Sequence, residues 1–147
     1  SYIAGRAKRA IKKPEFTRVH PALHKEADRV ATMIHGLALA VESALMKHGK
    51  KIMEREFIQE RMADAAIGIY MCTAVLSRTT WEIERAGSVD AVNPEMDCAR
   101  LFIADRYRQV RRSIRRISRN QDERMKAVAE RVLETADAAP IAPSDRV

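Results

Sequence analysis

The sequence predicts an all-α protein: an antiparallel, up-and-down bundle of four main helices with a short N-terminal helix before them. Three observations carry that expectation. Apolar residues recur at steps of three and four through four long segments, a spacing that gathers side chains on one helical face. Glycine and proline number 5 each in 147 residues, too few for the turns of a β-sandwich. Pro14, Pro21 and Pro94 also stand at the ends of the periodic segments, where helices stop and start. A chain of this length is one domain, able to bury a core without metal or disulfide. We expect a basic linker or helix over 1–18, the bundle over 19–137 and a partly ordered tail over 138–147.

The first 13 residues carry Arg6, Lys8, Arg9, Lys12 and Lys13 and no acid. Ile3, Ala7, Ala10 and Ile11 would line one narrow face of a helix. Such a segment reads as a linker helix packed on its neighbour, or as a basic amphipathic segment resting on an anionic membrane. Pro14 stops it, and Pro21 opens the next helix in the favoured first turn.

Residues 21–48 form the second helix, with Val30, Ile34, Leu37, Val41 and Leu45 as its inward stripe. Gly36 in mid-helix costs about 1 kcal/mol against alanine, so close approach of a neighbouring helix is the expected compensation. Gly49 supplies the left-handed residue after the helix.

Residues 53–86 lie within the longest stretch without proline, 22–93. Ile58, Met62, Ala65, Ile69, Cys72, Leu76 and Ile83 share one face, and Ala65–Ser77 contains no charge at all. A helix apolar on more than one side is packed from more than one side, so this is the central post of the bundle, both core and interface. Gly87 ends it. Asn93 is the expected N-cap of the next helix, 94–119, with Pro94 at its first position. Ile103, Tyr107, Val110, Ile114 and Ile117 face inward there. Asn120 marks a break, and Asp122 can cap a last helix over 123–137, with Met125, Val128 and Val132 or Leu133 turned inward.

Motifs for chemistry are mostly absent. The sequence holds no GxGxxG, P-loop, CxxC, HExxH or GxSxG, and no histidine follows a glutamate by three as a di-iron bundle requires. No catalytic, cofactor-binding or metal residue is therefore assigned. His20, His24 and Asp28 have ligand spacing, but His20 precedes Pro21 and lies outside the helix, so a solvated helix start is the plainer reading. Glu56, Glu60 and Asp64 form a carboxylate row on one helix, which cannot supply the facing pair that acid–base catalysis needs. Arg61 beside them can offset their repulsion. The two cysteines, Cys72 and Cys98, sit in helical patterns without a nearby second thiol, which favours a reducing, cytoplasmic or mitochondrial-matrix compartment. No segment reads as the roughly 18 apolar residues of a membrane span, nor the first 13 as a signal peptide. Lacking an initial methionine, the chain is expected to be processed or a piece of a longer protein.

The strongest local anomaly is 100–119, with eight arginines and a single acid, Asp105. At 100° per residue Arg108, Arg112, Arg115 and Arg119 gather opposite the apolar face, flanked by Arg111 and Arg116. They form the candidate basic interaction face. It serves either as a solvated face paired with acids of another helix or subunit, or as a contact for phosphates on an anionic surface, since arginine binds both bidentately. The net charge of +7 permits an acidic partner. Nucleic acid is weakly supported, because no reading-head motif accompanies the arginines.

Lys47, Gly49, Lys50 and Ile52 around the turn, then Phe57, Arg61, Ala63, Asp64, Ile67, Tyr70, Val75, Leu76, Ser77 and Arg78 along the central helix, resemble one known family. It is the extra C-terminal helical domain of very-long-chain-type acyl-CoA dehydrogenases. Val19-His20-Pro21 is similar to the lead-in to that domain, and the specific similarity covers about 20–85. The arginine-rich helix does not align with it. The resemblance implies an accessory part of a fatty-acid β-oxidation enzyme, whose FAD, acyl-CoA and catalytic glutamate belong to preceding domains. It implies no cofactor and no catalytic residue in this chain. It further implies packing on the parent's own catalytic core, where other family members place a second dimer, support of a homodimer, and membrane association nearby. Asp64 and Arg78, at the edges of the uncharged run, are expected to make inter-helix hydrogen bonds. The alternative is a free-standing basic helical module that binds nucleic acid or anionic membrane.

Overall fold

The structure of the chain, a computed structural model, describes residues 11–138. Pro21 holds the first position of a 3-10 turn, Pro21–Leu23, capped by His20, whose Nδ1 accepts the Ala22 N–H at 3.2 Å. The chain continues as α1 (His24–His48), a 3-10 turn (Gly49–Glu54), α2 (Glu56–Ala86), a 3-10 turn (Asp90–Val92), α3 (Asn93–Ser118) and α4 (Asp122–Ala138). All-α architecture with four main helices is what the periodicity predicted. The expected N-terminal helix and tail fall mainly on 1–10 and 139–147, outside the described residues. Ile11–Lys13, which are described, are not helical.

Gly87 ends α2 in the left-handed region (φ 69°, ψ 4°), its N–H donating to Ile83 O at 2.9 Å. Gly49 also has positive φ (53°), but its ψ of −134° places it outside the left-handed helical region. A residue there extends the chain into the 3-10 turn, so α2 starts at Glu56 instead of Met53. Glu56 then stands in the first turn, favourable for the helix dipole, and Glu54 does not. Asn93 is not a cap: it is the first residue of α3, with Val92 at the cap position and no side-chain hydrogen bond. Ser88 does the local capping, its Oγ accepting the Asp90 N–H at 3.2 Å.

Helices α1, α2 and α3 pack pairwise around one core, and the α2–α3 contact is the most extensive. Their order is up, down, up. The His20 N–H donates to Thr80 Oγ1 at 3.2 Å, joining the start of α1 to the end of α2. At the other end Arg61 of α2 donates to Arg116 O of α3 at 3.1 Å. The core gathers Leu23, Val30 and Met33, then Cys72, Leu76 and Ile83, then Met96, Ile103 and Val110. Ala44, Ile58 and Ile117 form a smaller cluster at the far end. Leu45, expected inside, is 49% exposed, and Ala44 takes its place. Beyond Val41 the small side chain is the one that lets α1 approach its neighbours.

The largest departure is α4. Met125, Val128, Val132 and Leu133, its expected inward face, are all more than half exposed. The helix forms, but only its first turns meet the other three helices. One further expectation changes: the helical span Pro21–Glu54 is, by length and composition, apolar enough to cross a membrane. In this fold α1 buries one side in the bundle, while Leu39, Leu45 and Met46 remain exposed on the other.

The close helix approach expected at Gly36 occurs instead at Gly68. A Cβ on Gly68 would lie 2.5 Å from Val110 Cγ2, whereas one on Gly36 would meet Ile114 Cδ1 at an ordinary 3.7 Å. Val110 is β-branched and stiff in a helix, so it cannot turn away. Gly68→Ala is therefore expected to destabilise the fold by about 1–2 kcal/mol, overpacking outweighing the gain in helix propensity. Gly36→Ala is expected to stabilise by up to about 1 kcal/mol. Urea unfolding of the two variants checks the contrast.

Candidate functional site

The uncharged run of α2 shows what a fully wrapped helix would hide. Every third or fourth residue points into the core, with Ala65, Gly68, Cys72 and Leu76 buried, but the opposite side is bare. Ala63, Ala66, Tyr70, Ser77 and Trp81 are exposed along it. Tyr70 is 75% exposed and Trp81 45%. Trp81 is held between two guanidinium groups, Arg78 at 4.7 Å and Arg85 at 5.2 Å from the ring centroid, a cation–π arrangement that fixes the ring face. Arg78 donates from Nε to Glu82 Oε1 at 2.7 Å on its own helix. The expected inter-helix bond of Arg78 is thus absent, because its partner lies one turn along α2. Asp64 forms no hydrogen bond among the described residues and is exposed. It points to solvent because the core side of that turn is taken by Ala65 and Gly68.

Adjacent to this stripe, an open groove follows the outer side of the α2–α3 contact in three successive clefts. Phe57, Glu60 and Asp64 face Arg112, Ser113 and Arg116 at one end, where Met125 of α4 also lines the cleft. Ile67 and Met71 face Arg106 and Gln109 in the middle. Ala74 and Arg78 face Glu95, Cys98 and Phe102 at the other end.

At its first end is a polar clasp that sequence reasoning missed. Arg61 does not serve the carboxylate row beside it. It reaches across to α4, donating from Nη1 and Nη2 to the two carboxylate oxygens of Asp122, each at 2.7 Å. The two side chains are only 12% and 13% exposed. Asp122 is thereby held below the usual aspartate range, chiefly by the hydrogen bond from Arg61, and Arg61 is held above its ordinary value by the same bond. Asn120 closes the corner: Nδ2 donates to Arg116 O and Ile117 O, each at 3.1 Å, and Oδ1 accepts the Asp122 N–H at 3.3 Å. Arg55 and Glu123 add an exposed ion pair beside it. The only sequence signal was the pair Asn120 and Asp122 after a long helix, which marks a break but names no partner.

The four arginines of the expected basic face lie on α3 and, for Arg119, at its C-terminal cap. Arg108, Arg112, Arg115 and Arg119 are all exposed. Arg108 pairs weakly with Asp105 at 3.3 Å. Arg112, Arg115 and Arg119 make no ion pair among the described residues. The structure therefore brings the four together on one side, where intramolecular acids take up only Arg108. Arg111 instead donates to Tyr107 Oη at 3.2 Å.

The remaining candidates stay apart. Among the described residues no three His, Cys, Asp or Glu side chains gather as a metal site, so His20, His24 and Asp28 do not converge. Lys13 pairs Asp28 at 2.5 Å. Both cysteines are free thiols, Cys72 buried and Cys98 exposed. Burial pushes the Cys72 thiol up to about 11, which keeps it protonated and unreactive. A thiol reagent at mildly alkaline pH is expected to label Cys98 at once and Cys72 only after denaturant unfolds the chain, read by mass spectrometry.

A family model described as ACAD9/ACADV, C-terminal domain, matches residues 21–138. Among curated proteins, the mitochondrial very long-chain specific acyl-CoA dehydrogenase of Rattus norvegicus is 35% identical over 80 residues. Those of Homo sapiens and Mus musculus are each 34% identical over 80 residues. These alignments take in 54% of this chain and 12% of the length of each relative.

Proposed function

The chain belongs to the ACAD9/ACADV C-terminal domain family, and from that premise we propose that it is the non-catalytic accessory domain of an FAD-dependent acyl-CoA dehydrogenase acting in fatty-acid β-oxidation. Its work is to pack on its own catalytic core and so set the oligomeric state, leaving a homodimer. FAD, acyl-CoA and the proton-abstracting base belong to the core. The compartment is matrix-type, in keeping with the mitochondrial relatives and the free thiols.

One observation carries this reading: the central helix of a matched domain exposes a charge-free stripe ending in Tyr70 and an arginine-flanked Trp81. Tyr, Trp and Arg supply most of the binding energy in protein interfaces. A stripe that long and free of charge suits a permanent partner better than solvent. In the full-length protein, Tyr70→Glu combined with Trp81→Glu is expected to loosen the domain from the core. Limited proteolysis would then release it, and the flavin-bearing core would melt earlier. Unchanged protease resistance and an unchanged core melting temperature would defeat the proposal. The chain expressed alone is expected to be colourless and without dehydrogenase activity, and flavin absorbance co-eluting with it would count equally against the reading.

The unpaired arginines of α3 favour a second reading, a basic module on an anionic surface such as a membrane. Salt-sensitive retention on heparin, abolished when Arg108, Arg112, Arg115 and Arg119 are all replaced by glutamine, would support it. Retention independent of those four residues would dismiss it.

A further inference from the structure

The outer seam between α1 and α3 carries positive charge that no described ion pair offsets. Helix α2 packs on both α1 and α3, so this seam lies on the opposite side of the bundle from the Tyr70–Trp81 stripe. Its centre is Tyr107 of α3, a half-buried ring packed against the core. Two guanidinium groups share that ring. Arg29 reaches it from α1, 6.0 Å from the ring centroid, and Arg111 from one turn further along α3, at 5.4 Å. Arg111 Nη1 also donates to Tyr107 Oη at 3.2 Å.

No acid answers these cations. Among the described residues neither Arg29 nor Arg111 forms an ion pair, and nor does Lys25, one turn before Arg29 on α1. Asp28 is taken by Lys13, and Asp105 by Arg108 and Gln109. Glu26, also one turn before Arg29, is 4% exposed and pairs with neither arginine. A tyrosine face attracts a guanidinium, but two like charges gathered on one ring repel each other until an anion joins them. The phenol adds a third donor. Its oxygen accepts from Arg111, and its own proton has no acceptor among the described residues.

Charge and donor geometry select the ligand. Two guanidinium forks and a hydroxyl suit an anion with several oxygens. A carboxylate brings two oxygens and one charge. A terminal phosphate brings three oxygens and a charge of about −1.5 to −2 at neutral pH, enough to offset both guanidiniums. We propose that Arg29, Tyr107 and Arg111 form a binding site for a terminal phosphate group at the α1–α3 seam. The site uses neither the α2 stripe nor Arg108, Arg112, Arg115 and Arg119, so it stands or falls apart from both readings above.

The test is thermal unfolding of the chain in inorganic phosphate, with acetate and chloride at equal ionic strength as references. Phosphate is expected to raise the wild-type midpoint by about 4 °C more than chloride, the effect of a site filled at roughly ten times its Kd. Arg29→Gln with Arg111→Gln is expected to lose that rise. Tyr107→Phe, which keeps the ring and removes the donor, is expected to keep a smaller one. Arg124→Gln with Arg131→Gln removes the same charge from α4 and is expected to keep all of it. Each rise is read against the variant's own midpoint in chloride, so a change in stability alone does not enter. Glycerol 3-phosphate and phosphatidic acid vesicles separate the sources. A larger midpoint rise with the first assigns a soluble ligand, and vesicle co-sedimentation lost with Arg29 and Arg111 assigns a lipid headgroup. No excess rise in wild type overturns the proposal. So does an equal rise in the Arg29 and Arg111 variant, which would mean that phosphate acts by exclusion from the whole surface. Acetate as effective as phosphate, or an α4 variant as impaired as the seam variant, overturns it too.

Discussion

Arg61→Ala is expected to lower the unfolding free energy by about 2–4 kcal/mol, the cost of removing one partner from a largely buried ion pair. The loss has two parts. Asp122 keeps its charge with little access to water, and Arg116 O loses the N–H donated at 3.1 Å. Arg61→Lys is expected to recover only a fraction, because an ammonium cannot supply the two parallel 2.7 Å bonds that the guanidinium fork makes. The clasp also carries a pH signature. Asp122 has a lower pKa folded than unfolded, so its stabilising contribution is complete above about pH 4–5 and is lost as pH falls through the depressed folded value. The stability gap between wild type and Arg61→Ala, measured by urea unfolding, is therefore expected to narrow from about pH 7 to about pH 3. A constant gap would mean that the guanidinium acts through packing alone.

Leu76→Ala is expected to cost about 3 kcal/mol and to lower the melting temperature by roughly 10 °C. Leu76 is 1% exposed and sits in the main core cluster with Met96 and Ile103 of α3 and Val30 and Met33 of α1. Three helices converge there, so the surrounding side chains cannot close the cavity without moving a backbone. Phe57→Ala on the same helix makes an instructive contrast. Phe57 is 49% exposed, and its loss is expected to cost under about 1 kcal/mol. Denaturant midpoints with an unchanged m-value would show that both variants act on stability and not on the compactness of either state.

The legible part of this fold was the part written in local periodicity. The α2 stripe from Ile58 to Ile83 reads directly as a face, and five of its seven residues are buried. Gly87 adopts the left-handed conformation that its position after the last periodic residue predicts. Errors arose where a residue has a good local role but a better distant one. Asn93 has the chemistry of an N-cap, yet the preceding 3-10 turn moves the helix start before it. Arg61 looked like a neighbour for Glu60 and Asp64, but Asp122 offers it a bidentate, largely buried partner 61 residues away. Gly36 and Gly68 look alike in sequence, and only the facing side chain, Ile114 or Val110, separates them. Periodicity turned Met125, Val128 and Val132 or Leu133 of α4 inward, yet all four are exposed, because periodicity cannot say whether a partner for that face lies in the same chain.

By itself, then, the sequence determined the helical class, the places where the helices break, and through matched positions from Lys47 to Arg78 the family. Each of these depends on residues close together along the chain. Which apolar faces are core and which remain for a partner was decided only by tertiary structure. That choice depends on how many helices can reach α2 at once. Two do, α1 and α3, so one side of α2 and most of the apolar strip of α4 are left bare. The uncharged run that looked like a core on every side is core on one and contact surface on the other.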